Sequence, residues 1–341
     1  MRKVLARYAL YSFVCAIVCA MLPCAGSAEP IKLKLAYTRS DQTSIYRAVI
    51  KPFIDAVNAD GKGVVEIEAY TGGVLGKDLT EQAQMALQGI ADITFFVSGY
   101  TPQRFPDDRV LELPGLFADT REGSLVYARL LAANALGGYE DLIVLGAFMN
   151  SGKGFHTRTP VASLADFKGL KISTSTQIAS ATLEKLGMQS AVLPVNLIAD
   201  AISAGKIEGA EVPLWVLFQF GIGRIATHHY LLQAGANPLA LVMNRQKFEG
   251  LPVEVRAIIG KYSGDWLVER YLEFAQDDGS KQLEQLRADV RREVIVPSQA
   301  DIDTAQKAFN SVIAEWAAAS PQNGKLLNKA KVEIARLRAV R

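Results

Sequence analysis

The chain has few of the residues that reactive or metal-binding sites most often use. It has three cysteines, Cys15, Cys19 and Cys24, and none follows them. The rest of the chain therefore has no thiol, which excludes cysteine nucleophiles, cysteine-bound metals and disulfides there. Of the three histidines, none falls into a motif spaced for zinc. We predict no metal, no cofactor and no catalytic residue.

An excess of charge of either sign is also absent. The sequence carries 37 Lys+Arg against 35 Asp+Glu, a formal net charge of +2. Surfaces that bind nucleic acid require a basic excess, so no nucleic-acid partner is expected. The chain is 50% hydrophobic and 21% charged, which is typical of a folded protein. Because single cores stop growing at roughly 250–300 residues, the length of 341 residues suggests two lobes.

Long apolar runs are missing except near the N-terminus. Residues 8–22 carry no charge, follow three basic residues, and lead to the small residues that precede Glu29. This pattern predicts a secretory signal peptide over residues 1–28, cleaved near Ala28, and hence a periplasmic protein. The alternative is a retained N-terminal anchor, although a run of about 15 residues is shorter than the roughly 20 that span a bilayer.

Hydrophobic periodicity predicts an α/β fold followed by a helical region. Alternating or continuous apolar runs indicate strands separated by helices, first over residues 31–97 and again over residues 142–212. This order favours a parallel sheet in the first lobe. Beyond Pro252 the apolar spacing becomes helical, with a break predicted at Asp277–Gly279.

Several short motifs carry a family resemblance. Residues 160–172 read PVASLADFKGLKI, and residues 202–213 read ISAGKIEGAEVP. Earlier segments read TGGVLG (71–76), QGIADI (88–93) and LPGLF (113–117). In their order and spacing these motifs resemble the solute receptors of tripartite ATP-independent periplasmic (TRAP) transporters, the DctP-like family. The resemblance covers residues 31 to about 273.

The resemblance implies a two-lobed periplasmic binding protein fold of the α/β class, with a ligand cleft between the lobes and a helical C-terminal region. It implies discontinuous lobes: residues 29–150 with about 239–278, and residues 151–238 with about 279–341. Independently, ligands of α/β sheets bind at the carboxyl ends of strands, which lie near Ser173 and Val212 here.

The resemblance also implies a function. The protein would capture a small organic anion and deliver it to the small and large membrane subunits of a TRAP transporter, without enzymatic activity. Two alternatives stay open on the sequence: a receptor that feeds a signalling partner, and a periplasmic enzyme built on the same scaffold.

Two departures from the family pattern concern the ligand. In most relatives the residue after "KI" is an arginine that clamps a substrate carboxylate, and a guanidinium suits that role because it bonds both oxygens. Here that residue is Ser173, and Val212 replaces the asparagine expected before Pro213. We therefore predict a monocarboxylate with an apolar or aromatic body.

Other residues must then recognise the ligand. Lys153 lies at the spacing of a second ligand-facing arginine of some relatives, although a solvated surface lysine is an equal interpretation, and Arg39 ends the first strand. Hydroxyl groups and aromatic rings would complete the site, although core packing is the usual role of any one ring. The predicted ligand-binding residues are Lys153, Arg39, Ser173, Thr174, Ser98, Val212, Trp215, Phe96 and Tyr70.

Overall fold

The computed structural model describes residues 29–339, in which two β-sheets are covered by helices. The predicted signal peptide, residues 1–28, lies outside the described residues. The strands are Ile31–Ala36 (β1), Val65–Tyr70 (β2), Ile93–Val97 (β3), Leu142–Met149 (β4), Gly154–Thr157 (β5), Lys171–Thr174 (β6), Gln189–Val192 (β7), Gly209–Val212 (β8), His228–Tyr230 (β9), Pro238–Asn244 (β10) and Glu293–Ile295 (β11). The α-helices are Lys51–Asp60 (α1), Gln82–Leu87 (α2), Thr120–Ala132 (α3), Gln177–Lys185 (α4), Ile198–Ser203 (α5), Leu214–Gln219 (α6), Arg245–Glu249 (α7), Val253–Lys261 (α8), Asp265–Ala288 (α9), Gln299–Ala318 (α10) and Pro321–Arg338 (α11).

The first sheet has five strands in the order β2-β1-β3-β10-β4. Strand β1 pairs in parallel with β2 and β3, whereas β10 runs antiparallel to both β3 and β4. The three strands from which a parallel sheet was predicted, β1 to β3, are parallel as expected, but the sheet as a whole is mixed because β10 joins it in the antiparallel sense. The antiparallel strand enters because the chain returns from the second sheet, and a pairing between segments so distant in sequence leaves no local pattern.

Strands β1 and β3 illustrate how the sequence sets their burial. In β1, Leu33 and Leu35 are fully buried whereas Lys32 and Lys34 are exposed, since alternate side chains point to opposite faces. Strand β3 is buried along its whole length. It lies in the middle of the sheet between β1 and β10, where helices cover both faces and a continuous apolar run is expected.

The second sheet has six strands in the order β11-β9-β5-β8-β6-β7. Strand β6 pairs in parallel with β7 and β8, and β5 runs antiparallel to β8 and β9. Hydrophobic clusters around Phe167 and Leu217 hold the helices to this sheet. The two-lobed α/β fold with a helical C-terminal region, which the sequence predicted, is confirmed.

The long helix α9 connects the two sheets. Its N-terminal half packs into the core of the first sheet through Leu267 and Tyr271, and Leu286 packs into the core of the second. The predicted break at Asp277–Gly279 is wrong, because the helix is continuous over 24 residues. A glycine inside a helix costs only about 1 kcal/mol. Burial of apolar side chains at both ends and the Lys281–Asp277 pair (2.6 Å) favour the helix.

The last helix, α11, packs on the side of the first sheet. Leu326, Ala330 and Ile334 belong to the same hydrophobic cluster as Tyr127 and Leu130 of α3. The lobe boundaries remain a prediction, and this packing bears on one of them. We propose that α11 moves with the first lobe, although the sequence resemblance placed residues 279–341 in the second. Among residues 29–339, no helix is long and apolar enough to cross a membrane.

A bidentate ion pair attaches the end of α11 to α3. Arg338 donates from Nε to Oε1 of Glu122 (2.8 Å) and from a terminal nitrogen to Oε2 (2.9 Å). The Glu122 side chain is fully buried, and the hydrogen bonds from Arg338 hold the pKa of Glu122 below its ordinary value of 4.5.

We therefore expect Arg338→Ala to lower the free energy of unfolding by about 1–3 kcal/mol, because it leaves a buried carboxylate without its charged partner. Urea-induced unfolding of the two proteins measures the loss. Arg336→Ala is the control, because Arg336 is exposed and forms only an i,i+3 pair with Glu333. The loss should shrink as the pH falls from 4.5 through the lowered pKa of Glu122. Below that pKa the Glu122 carboxylate is protonated, so it no longer forms an ion pair with Arg338. Equal losses in the two variants would contradict the assignment.

Candidate ligand-binding cleft

A cavity of about 880 Å³ lies between the two sheets, at the carboxyl ends of their parallel strands. On the first lobe its wall includes Thr38 and Arg39 after β1, and Gly99 and Tyr100 after β3. On the second lobe it includes the segments after β6 and β7; these residues are Ser175, Thr176, Gln177, Ile178, Leu193, Pro194, Val195 and Asn196. This is the position at which α/β sheets bind ligands, because loops and helix starts meet there.

Arg39 is one of five residues that two cavities of the cleft share. It contributes to the wall of the large cavity and also to a small deeper one of about 30 Å³. Its guanidinium lies over the ring of Trp215 at 4.7 Å and 5.9 Å from that of Phe220. Within residues 29–339, no carboxylate lies close enough to form an ion pair with Arg39. Its positive charge is thus held in place by aromatic rings and is not neutralised.

Lys153, in contrast, already has an anionic partner. Its Nζ lies 3.2 Å from Oε2 of Glu211, and both side chains are almost completely buried, with 2% and 1% exposed. The same oxygen of Glu211 accepts a hydrogen bond from Thr174 Oγ1 at 2.6 Å. Lys153 and Glu211 both border the small deep cavity. The interpretation of Lys153 as a solvated surface lysine is excluded by this burial.

The backbone near Lys153 is the place where the chain passes between the sheets. The Asn150 N–H donates to the Asn237 carbonyl (3.0 Å), and the Asn237 N–H donates to Asn150 Oδ1 (2.7 Å). The Lys153 N–H donates to the carbonyl of Gly235 (3.1 Å). Asn237 Nδ2 also donates to Ser175 Oγ (3.0 Å). The segments that follow β4 and precede β10 are therefore joined to each other directly beneath the cleft.

Glu112 is a second buried acid in the wall of the large cavity. Only 4% of the residue is exposed, and its Oε1 has no hydrogen-bond partner. Burial raises the pKa of Glu112 to about 7, although the neighbouring Thr176 hydroxyl and the charge of Lys153 act in the opposite direction. Burial also raises the pKa of Tyr100, which Arg39 lowers and Glu112 raises. Arg39 and Glu112 thus act on the same hydroxyl group.

The structure brings five of the nine predicted ligand-binding residues together. They surround the small deep cavity, which opens between the end of β8 and the strand crossings, and they are Arg39, Lys153, Thr174, Val212 and Trp215. Val212 borders this cavity, and its carbonyl oxygen lies 3.0 Å from His156 Nε2. Trp215 is half-buried at the start of α6, where it supports Arg39.

The other four predicted residues do not border the large cavity or the small deep one. Phe96 is buried and stacks on Phe105 at 5.0 Å. Ser98 is fully buried beside Asp108. Ser173 is fully buried in β6, and Tyr70 lies on an edge strand with its hydroxyl on Glu68. Phe96 borders a third cavity, of about 10 Å³, that Arg39 and Tyr100 also line, but none of the four borders the large cavity or the small deep one.

The sequence analysis missed residues that are prominent in the cleft. Glu112 stands directly before the quoted motif that begins at Leu113, and Glu211 lies inside the quoted motif of residues 202–213. A carboxylate inside an otherwise apolar motif was the available signal, because an acid is rarely buried without a partner. His156 and His229 form a buried contact (Nδ1 to Nδ1, 2.9 Å), and no group of His, Cys, Asp and Glu among residues 29–339 is arranged to hold a metal ion.

One curated protein and two solved structures are similar to this chain. The chain is 25% identical over 293 residues to the C4-dicarboxylate-binding periplasmic protein DctP of Rhodobacter capsulatus, covering 79% of this chain and 86% of that protein. A TRAP solute-binding protein from an unidentified marine microbe, described as specific for aromatic acid ligands and solved with meta-hydroxyphenylacetate, has a TM-score of 0.81 and 26% identity, covering 90% of this chain and 99% of that one. A TRAP solute-binding protein from Rhodoferax ferrireducens T118, solved with benzoate, has a TM-score of 0.83 and 24% identity over 91% of this chain and 99% of that one.

The family itself is matched over most of the chain. Residues 35–319 match the family described as bacterial extracellular solute-binding protein, family 7, or DctP. The match covers both sheets, both strand crossings and the whole wall of the cleft. This chain therefore belongs to family 7 of the bacterial extracellular solute-binding proteins.

Proposed function

We propose that this protein is the solute receptor of a TRAP transporter and that it binds a small aromatic monocarboxylate in the cleft. The observation that carries the proposal is Arg39, whose guanidinium borders the cleft without an anionic partner and rests on Trp215. An uncompensated cation in a partly dry cleft is stabilised when a carboxylate binds to it, and charge-assisted hydrogen bonds are among the stronger ones.

The charges around the deep part of the cleft favour one carboxylate on the ligand. Glu211 neutralises Lys153, and Ser173 replaces the arginine that most relatives use. Of the other basic residues in the wall, Lys77 is exposed beside Asp78, and Arg109 acts on Glu112. Arg39 is thus the cation best placed for a ligand, and a second carboxylate would have no equivalent partner.

The body of the ligand would contact a mainly apolar and aromatic wall. Tyr100, Phe220, Leu193 and Val195 border the large cavity, and its volume of about 880 Å³ is typical of small-molecule sites. Flat rings pack favourably against such side chains. The marine relative with 26% identity is described as specific for aromatic acid ligands, which supports the same ligand class here.

The remaining parts of the proposal follow the family. The protein would be exported to the periplasm after cleavage near Ala28, bind its solute without changing it chemically, and deliver it to the small and large membrane subunits. Closure of two lobes around a ligand is the usual mode of periplasmic binding proteins. The joined strand crossings at Asn150 and Asn237 provide a short connection about which the lobes could turn.

Replacing Arg39 tests the carboxylate site. We expect Arg39→Met to weaken the binding of aromatic acids such as benzoate or phenylacetate roughly 10–100-fold, the value of one charge-assisted hydrogen-bonded pair. Isothermal titration calorimetry of the mature protein measures the dissociation constants. Arg47→Met is the matched control, because Arg47 is exposed and lies outside the cleft wall. Equal affinities in the two variants, or no binding of any aromatic acid to the native protein, would refute the proposal.

The Lys153–Glu211 pair makes a separate prediction. Lys153→Met should lower the free energy of unfolding by about 3–5 kcal/mol, because it leaves the buried Glu211 carboxylate unpaired. The double variant Lys153→Met/Glu211→Gln should regain most of that loss, since the amide oxygen can still accept from Thr174.

The double variant then separates the two interpretations of Lys153. If Lys153 only balances Glu211, the refolded double variant should bind aromatic acids within about threefold of the native affinity, well short of the tenfold that a lost charged contact costs. A double variant that is stable but binds as poorly as Arg39→Met would show that the ammonium group holds the ligand.

A further inference from the structure

Glu112 is a buried acid in the wall of the large cavity that the proposed carboxylate site does not use. It is the last residue of the 3₁₀ helix Pro106–Glu112, directly before the Leu113–Pro114 motif, and it is 4% exposed. One of its oxygens, Oε1, has no hydrogen-bond partner, although the residue belongs to the cavity wall. A buried acceptor left without a donor is costly, so a partner supplied from the cavity would stabilise it.

The chain leaves room for this carboxyl group. At Gly99, which also borders the cavity, a Cβ atom would overlap Glu112 Oε1 and would lie 3.0 Å from Thr176 Cγ2. Any other residue at position 99 would therefore displace the acid. Glu112 comes from the first lobe, whereas Thr176 caps helix α4 of the second by accepting from the Ala179 N–H. The carboxyl group thus sits where a ligand between the lobes would meet it.

The charges near Glu112 identify the kind of donor that fits. Lys153 and Arg109 both act on Glu112 electrostatically, and Arg39 acts with it on Tyr100. Arg39 and Arg109 would repel an ammonium group on the ligand, whereas Lys153 is already neutralised by Glu211. A neutral hydroxyl group would not be repelled, and it can donate to the carboxylate or exchange hydrogen bonds with the protonated acid.

We propose that Glu112 is a specificity-determining residue that accepts a hydrogen bond from a hydroxyl group on the ligand. The ligand class is then a hydroxy-substituted aromatic acid, with its carboxylate on Arg39 and its hydroxyl on Glu112. This inference rests on the proposed function and adds the second polar contact to it. A site that hydrogen-bonds a substrate hydroxyl discriminates strongly against the analogue without it, because its own buried group is then left unpaired.

Matched ligands test the inference on the native protein. The probes are two pairs, phenylacetate with 3-hydroxyphenylacetate and benzoate with 3-hydroxybenzoate, together with 3-methoxyphenylacetate, which keeps the oxygen but has no donor. Calorimetry should show that the hydroxylated member of at least one pair binds about tenfold or more tightly than its partner. The methoxy compound should gain nothing over phenylacetate, since it cannot donate to Glu112.

Variants then assign the preference to the residue. Glu112→Leu should reduce the hydroxyl preference to about twofold or less while the unsubstituted acids still bind, and Glu112→Gln, which keeps an acceptor, should retain part of it. Glu66→Gln, an exposed carboxylate on β2, should leave the preference unchanged. Thermal melting confirms that each variant is folded, and the native comparison with the methoxy compound stands without any variant.

The outcomes separate this inference from the proposed function. Binding that depends on Arg39 but shows no hydroxyl preference, or a preference that survives Glu112→Leu, would overturn the role of Glu112 alone. A native protein that binds none of the aromatic acids would overturn both. A hydroxyl preference that Glu112→Leu removes and Glu112→Gln partly restores would establish the assignment.

Discussion

The buried ion pair between Lys153 and Glu211 is the constraint on which the arrangement of the cleft depends. Two charges that are almost fully removed from water are tolerated only when each has a partner and further hydrogen bonds. Lys153 lies on the segment that leaves the first sheet, whereas Glu211 lies on β8 in the middle of the second. The pair therefore fixes the strand crossing against the second sheet, and Thr174 on β6 adds a hydrogen bond to the same carboxylate oxygen.

Because of this pairing, the two basic residues of the cleft, Lys153 and Arg39, have different roles. The flexible side chain of Lys153 reaches the Glu211 carboxylate, so its charge is balanced within the protein. Arg39 is held by the faces of Trp215 and Phe220 instead, which attract its cation without neutralising it. The fold thus keeps the Arg39 guanidinium available at the carboxyl end of β1.

Much of the fold was predictable because its strands and helices carry local patterns. Strands β1 to β3 lie within residues 31–97 and β4 to β8 within residues 142–212, as predicted, since apolar alternation reports which side chains face a core. The antiparallel insertion of β10 and the unbroken helix α9 were not predictable, because both depend on packing between distant segments. At the site the limit was of the same kind: Lys153 and Glu211 lie 58 residues apart, and only the register of β5 on β8 brings them together.

The placement of the two acids has a consequence for how the cleft recognises its solute. Both acids keep a buried Oε1 without a hydrogen-bond partner, but Glu211 pairs with Lys153 and Thr174 through Oε2 beside the small deep cavity, whereas Glu112 lies in the wall of the large cavity. If the lobes close around a ligand as proposed, closure would remove water from Glu112. Closure over a ligand that offers no donor there leaves a buried acceptor unpaired, so it is disfavoured. The same step that strengthens the contact of Arg39 with a carboxylate, by lowering the local dielectric, therefore also makes closure sensitive to a second group on the ligand.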